Sequence, residues 1–197
     1  MCCLTTNIFG FTVRETFGRS TDHAILDIVN KIESYMDKGV FSCDVFIDLQ
    51  KAFDTVDHAI LLQKLFHYGV RGIVNDWFSS YLINRVQTTQ IGSHVSEKQN
   101  TLCGVPQGSV LGPLLFLIYV NDIYNASNKL EFFLFADDTN LLYANKNLKS
   151  LETVMNNELL KVVDWLTANK LSLNVKKTNY IIFHPYQKRL RWLHILS

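Results

Sequence analysis

A chain of 197 residues that is 48% apolar can fill a core of its own and is not a disordered tail. Its formal net charge of +1 excludes the strongly basic surface with which a stand-alone duplex binder displaces counterions, so any grip on nucleic acid is local or comes from elsewhere. Cys2, Cys3, Cys43 and Cys103 form neither a CxxC pair nor a zinc spacing and are expected as reduced, mostly buried thiols; with no basic leader and no apolar run near about 20 residues, the chain is expected off the membrane and intracellular, in nucleus or cytoplasm.

No repeat, low-complexity tract or linker rich in Pro, Gly and Ser divides the sequence, which predicts one domain with frayed ends. A first helix is predicted behind a Ser20 or Thr21 cap, with Ile25, Ile28, Val29, Ile32, Tyr35 and Met36 at helical spacing and Gly39 past its end. Residues 41–48 (FSCDVFID) are β-branched and aromatic, so they read as a strand that delivers Asp48 to its end, where a side chain can face a cleft. Asp57 caps the next helix, built on Ile60, Leu61, Leu62, Leu65 and Phe66 and stopped at Gly69. A shorter helix around 75–82 and a hairpin with strands near 86–91 and 95–102 follow, turning at Gly92-Ser93. Residues 112–120 are apolar on every side and predict a fully buried helix whose start accommodates Pro113. Strands at 130–135 and 140–144 flank Ala136-Asp137-Asp138-Thr139, a predicted tight hairpin with two carboxylates at its tip. A long helix from about 148 to 169 and two short strands, 171–175 and 180–183, complete an α+β pattern with helices packed on one face of a sheet.

Adjacent carboxylates on an apolar turn repel each other and lose hydration, and a divalent cation offsets both costs. In two-metal phosphoryl transfer a pair of ions about 3.5–4 Å apart needs a further carboxylate from another strand, for which Asp48 is the candidate. Taken alone, an Asp-Asp turn is more often structural, because Asp is a favoured turn residue.

The order of the longer motifs narrows the reading. FIDLQKAFDTVDH, GVPQGSVLGPLLFLIYVNDI and FADDTNLL resemble, in sequence, motifs A, B and C of the reverse transcriptases of non-LTR (LINE-type) retrotransposons. NKLSLNVKKTNYIIF is similar to motif D, and RSTDHAILDIV to the end of the family's fingers, so the likeness covers roughly residues 18–186. The resemblance implies a polymerase palm, a ferredoxin-like antiparallel sheet with helices on one face, plus part of the fingers. It implies an RNA-directed DNA polymerase that extends a DNA primer from dNTPs on an RNA template, using two Mg²⁺ ions, with Mn²⁺ as a possible substitute.

Residue by residue, it implies that Asp48, Asp137 and Asp138 hold the metals, with the backbone carbonyl of Leu49 as an extra ligand. Phe53 matches the aromatic steric gate against a 2′-hydroxyl; core packing is its bland reading. Gln107 and Gly108 match the turn beside the incoming nucleotide, whereas Gly104 and Gly112 are expected to serve only turns. Lys177 matches the motif D lysine, a general acid for pyrophosphate, against the bland reading of a solvated charge beside Lys176. Arg19, ahead of Arg14, is the candidate for triphosphate or template contact. Asp54, Asp57 and Asp122 read as caps or turn residues.

The chain departs from the pattern at both ends. Residues 1–17 match poorly, GFTVRETFGRST is longer than the usual run, and in the tail 187–197 the final RLRWLHILS does not resemble a primer grip. An element copy truncated or mis-joined at both ends is therefore expected. The competing reading is a non-catalytic remnant that keeps the palm and at most binds nucleic acid weakly. A viral RNA-copying polymerase or a two-metal nuclease is disfavoured by Phe53, since an RNA-making enzyme must admit the 2′-hydroxyl.

Overall fold

The computed structural model describes residues 6–8, 11–13, 21–135, 138–186 and 195. Among the residues singled out above, Cys2, Cys3, Arg14, Arg19, Ser20, Ala136 and Asp137 lie outside that set. In chain order the elements are β1 (Thr6–Ile8), β2 (Phe11–Val13), α1 (Thr21–Asp37), β3 (Phe41–Ile47), α2 (His58–His67), α3 (Ile73–Leu82), β4 (Val86–Gln87) and β5 (Gln90–Ile91). They continue as β6 (His94–Val95), β7 (Gln99–Asn100), α4 (Leu111–Val120), a short 3-10 turn (Ile123–Ala126), β8 (Glu131–Phe135), β9 (Asp138–Asn145), α5 (Leu148–Ala168) and β10 (Asn179–Phe183). Two compact units result: residues 1–50 with 121–197, and residues 51–120.

The first unit is built on a four-stranded sheet in the order β10-β3-β9-β8, every neighbouring pair antiparallel. Counted along the chain these strands stand 4-1-3-2, the spatial order of a ferredoxin-like sheet, as the sequence pattern implies. β3 lies inside the sheet and is buried on both faces, which explains why FSCDVFI lacks a clean polar alternation. α5 packs along β3 and β9 through Leu151, Met155, Leu159, Val162 and Leu166, all buried and spaced at one helical face. α1 packs against β3 and β8, where Lys31 and Tyr35 both bind the Glu131 carboxylate. Its apolar stripe is only partly covered: Ile32 is buried, while Ile25, Val29 and Met36 stay exposed.

In the second unit α2 packs on both α3 and α4. Asp57 caps α2 by accepting from the Ile60 amide at 3.0 Å, as its position in the sequence predicts. α4 buries Gly112, Leu115, Phe116, Ile118, Tyr119 and Val120. Pro113 is exposed in its first turn, where a missing N–H costs nothing.

Three expectations need correction. Residues 171–175 make no strand, only a single bridge from Leu173 to Leu49, because Gln50 and Asn174 draw this segment into hydrogen bonds with the end of β3. The predicted hairpin at 86–102 is two nested pairs, β4 with β7 and β5 with β6, since the ladder breaks at residues 88–89 and 96–98. Cys103 is exposed and not buried, its thiol donating to the Asp54 carbonyl, while Cys43 is buried as expected.

Candidate functional site

Asp48 is the first residue beyond β3, and the register of the sheet decides what it meets. β3 pairs with β9 from Phe41↔Asn145 to Ile47↔Thr139, so Asp48 and Asp138 each stand one residue beyond the last pair, at the same end of the ladder. Residues directly opposite on antiparallel neighbours share a face, so the two carboxylates would do so if the ladder ran one residue further. Asp138 is exposed and opens β9, with Phe135 as its partner across the hairpin. This corrects the predicted turn: Asp138 and Thr139 are strand residues and not part of the tip. Asp137 falls between β8 and β9, outside the described residues.

Asp48 is half-buried and tied from three directions by the segment that precedes β10. Its carbonyl accepts from the Asn174 amide at 2.8 Å, its own amide donates to Thr178 Oγ1 at 3.4 Å, and its carboxylate Oδ2 accepts from Asn174 Nδ2 at 3.5 Å. Lys177 Nζ stands 3.8 Å from the same Oδ2, with its side chain largely in solvent. An ion pair so exposed adds at most about 1 kcal/mol of stability, so its significance lies in placing an ammonium beside the carboxylate and not in holding the fold. Asn174 orders the local turn as well, its carbonyl accepting from the amides of both Lys177 and Thr178. The sequence reading passed over Asn174 and Thr178. The available signal was an Asn three residues before the lysine, a residue type favoured in turns.

Leu49 faces Leu173 through the bridge, and the Gln50 amide donates to the Ser172 carbonyl at 2.8 Å. The segment 48–50 is thus laced to 172–178, which brings together two motifs more than 120 positions apart in sequence. Oxygen donors of this kind, two carboxylates with backbone carbonyls, suit a hard divalent cation. Among the described residues no group of three His, Cys, Asp or Glu side chains meets, and Asp137 stands outside that search.

The remaining candidates lie in the second unit and form their own cluster. Phe53 is half-buried, its ring 4.8 Å from that of Phe116 and tilted by 39°. Gln107 Nε2 donates to Asp54 Oδ1 at 2.8 Å, so Asp54 is more than a turn residue: it anchors the Pro-Gln-Gly turn. Gly104 is more than a turn residue too. With φ +90° it lies so close to the Asp54 backbone that a Cβ would stand 2.8 Å from the carbonyl oxygen. The Val105 amide donates to the Phe53 carbonyl at 2.8 Å, and the Gly104 carbonyl is 2.7 Å from His58 Nε2. Gly108 has φ +78° with open space where a side chain would go, the surface a substrate could approach closely.

Comparisons with known proteins bear on the family and the fold. The model of the family described as reverse transcriptase (RNA-dependent DNA polymerase) matches residues 11–195. The chain is 28% identical over 182 residues to the probable RNA-directed DNA polymerase from transposon X-element of Drosophila melanogaster, covering 88% of this chain and 20% of that protein. It is 30% identical over 179 residues to the corresponding protein from transposon BS of the same organism, covering 82% and 19%. The chain thus spans about a fifth of the length of the curated relatives it matches. Among solved structures it is similar to telomerase from Candida albicans in complex with the TWJ fragment of telomeric RNA, with TM-score 0.57, 14% identity and coverage of 88% of this chain and 31% of that one. Apo telomerase from Candida tropicalis gives TM-score 0.57 at 13% identity, covering 83% and 32%. At such identities these structures show the fold alone.

Proposed function

We infer the function from one premise: this chain belongs to the reverse transcriptase (RNA-dependent DNA polymerase) family, with relatives among the polymerases of mobile elements. The reading is an RNA-directed DNA polymerase domain of non-LTR type that adds deoxynucleotides to a primer 3′-hydroxyl. What supports it best is Lys177 Nζ at 3.8 Å from the Asp48 carboxylate, with Asp48 and Asp138 each one residue beyond the last β3–β9 pair at the same end of the sheet.

Asp48, Asp137 and Asp138 would hold two Mg²⁺ ions, which when bound supply an activated 3′-oxygen and charge stabilisation on the triphosphate. Asn174 and Thr178 fix the Asp48 backbone so that its carboxylate is held ready in position. As the 3′-oxygen, its proton lost to water, bonds to the α-phosphorus and the bridging P–O bond breaks, Lys177 gives a proton to the departing pyrophosphate and later regains one from water. Phe53, braced on Phe116, acts by volume against a 2′-hydroxyl, and Gln107, braced by Asp54, presents the turn that meets the nucleotide. Arg19 is kept as a triphosphate or template contact, and the Leu49 carbonyl as an auxiliary metal ligand.

Primer extension on an RNA template tests the reading. The chain alone is expected to extend weakly, because a misplacement of about 1 Å can cost on the order of 100-fold in rate and the primer end must be held from outside these motifs. Fused to a thumb from a family relative, it should extend with dNTPs in Mg²⁺. Phe53→Val should then raise ribonucleotide incorporation relative to deoxynucleotide. An unchanged ratio would return Phe53 to core packing, and a fusion as inactive as the chain alone would contradict the polymerase reading.

A further inference from the structure

The most unusual surface in the molecule lies away from the carboxylates, on α3. Trp77 and Tyr81, one turn apart, stack with ring centroids 5.5 Å apart and planes within 12°. The Arg85 guanidinium stands over Tyr81 at 5.4 Å, which extends the column to three planar groups. Trp77 is 49% exposed although its edge also meets Phe78, and Ile73 and Val74, one turn back, are 88% and 55% exposed. A monomer gains nothing from keeping so much apolar surface wet, so a contiguous patch of this kind marks a binding surface.

We propose that this face of α3 is a stacking platform for single-stranded nucleic acid. Near-parallel aromatic rings ending in a half-exposed indole continue naturally into a stack of bases, a mode that tolerates any sequence. Charge argues for this occupant over an apolar protein surface. The patch is bracketed by two arginines: Arg85 at its C-terminal end, and Arg71 just ahead of the helix, itself 5.0 Å over the exposed Phe66 ring. A guanidinium stacked on a ring still directs N–H groups outward, where phosphate accepts them. Asp76, in the first turn, is the one carboxylate of the helix. At its C-terminal foot a groove of about 380 Å³ lies between the start of α2 (Asp57, His58, Leu62), Ile83-Asn84 and Asn100-Leu102, a mixed apolar and polar lining that includes one carboxylate. The helix is ten residues, about 15 Å, long enough for a few stacked nucleotides.

The platform goes beyond the polymerase reading and needs no divalent ion, so it is tested in EDTA. The 197-residue chain is titrated into dye-labelled 12-nucleotide oligouridylate, the matching oligothymidylate, and a blunt RNA duplex, with fluorescence anisotropy as the readout. Both single strands should bind better than the duplex, and the weaker of the two shows which sugar the surface disfavours. Trp77→Ala should weaken single-strand binding about tenfold, within the range for loss of one stacked base, while Tyr81→Phe keeps it. Arg85→Ala should lower the slope of log affinity against log salt by about 0.7. Circular dichroism reports folding, and Ile91→Ser, an exposed apolar change outside the patch, serves as a control that keeps binding. No binding by the folded chain, full binding by folded Trp77→Ala, or equal losses on duplex would overturn the proposal. So would self-association of the chain that Trp77→Ala abolishes in the absence of single-strand binding, which would assign the face to a second copy.

Discussion

Asp44 shows how a single buried carboxyl can act against the fold that contains it. It lies in the middle of β3, only 1% exposed, and its Oδ1 has no hydrogen-bond partner. Burial pushes its pKa up to about 6 from an ordinary 3.8. Well below pH 3.8 the carboxyl is protonated whether the chain is folded or not, so it costs nothing there. Between about pH 4 and 6 the unfolded chain ionises first, and the folded state loses stability steadily until both forms are ionised. Two pKa units correspond to roughly 3 kcal/mol. Asp44→Asn should therefore raise stability at pH 8 by up to that amount and leave it unchanged well below pH 3.8, as urea unfolding at the two pH values would show. Equal stability at pH 8 would mean that the ionised carboxylate is solvated in the folded state. The neighbouring Cys43 thiol is pushed up to about 12, first by burial and then by the Asp44 charge, which leaves it inert. Nothing in FSCDVFI announces this, because an Asp in a strand read one residue at a time looks like a solvent-facing position. The two neighbouring strands pair only the edges of β3, and what packs over its faces, α1 and α5 among it, is not written in the strand itself.

At the scale of elements, the most legible features were those with local causes. The Asp57 cap, the Gly39 and Gly69 stops and the single apolar face of α5 follow from chemistry within a few residues, and each stands where the pattern puts it. The lacing of 48–50 to 172–178 was not legible, since Leu171, Leu173 and Val175 alternate like a strand while their backbone partners are set by the far side of the sheet. Glu158 was missed for a related reason. On an amphipathic helix it reads as a surface charge, yet it is 1% exposed and held by Lys161 at 2.9 Å, Ser127 at 2.8 Å and Lys129 at 3.4 Å. The hydrogen bond from Lys161 leads in holding its pKa below the usual carboxylate range, helped by Ser127 and Lys129 against the cost of burial. That stabilisation is complete at neutral pH and is lost as pH falls through the lowered value. Glu158→Gln should cost on the order of 2 kcal/mol at pH 7 and progressively less in acid, measured by thermal or urea unfolding. A cost that does not change with pH would mean that shape and not charge holds α5 to the turn at 127.

At the scale of the whole molecule, the chain reads continuously but divides into two compact units, residues 51–120 forming one of them and falling in sequence between β3 and β8. No linker composition marks either border, because each crossing is a short turn between well-formed elements. Motif order, more than composition, made the family and the palm legible. The central claim is that Asp48, Asp137 and Asp138 form one divalent-cation site, and the most direct measurement is a calorimetric titration of Mn²⁺ into the 197-residue chain. The account predicts binding that Asp48→Asn, Asp137→Asn and Asp138→Asn each weaken tenfold or more, with Asp122→Asn unchanged. Binding that survives all three substitutions, or a folded chain that binds no Mn²⁺, would contradict it.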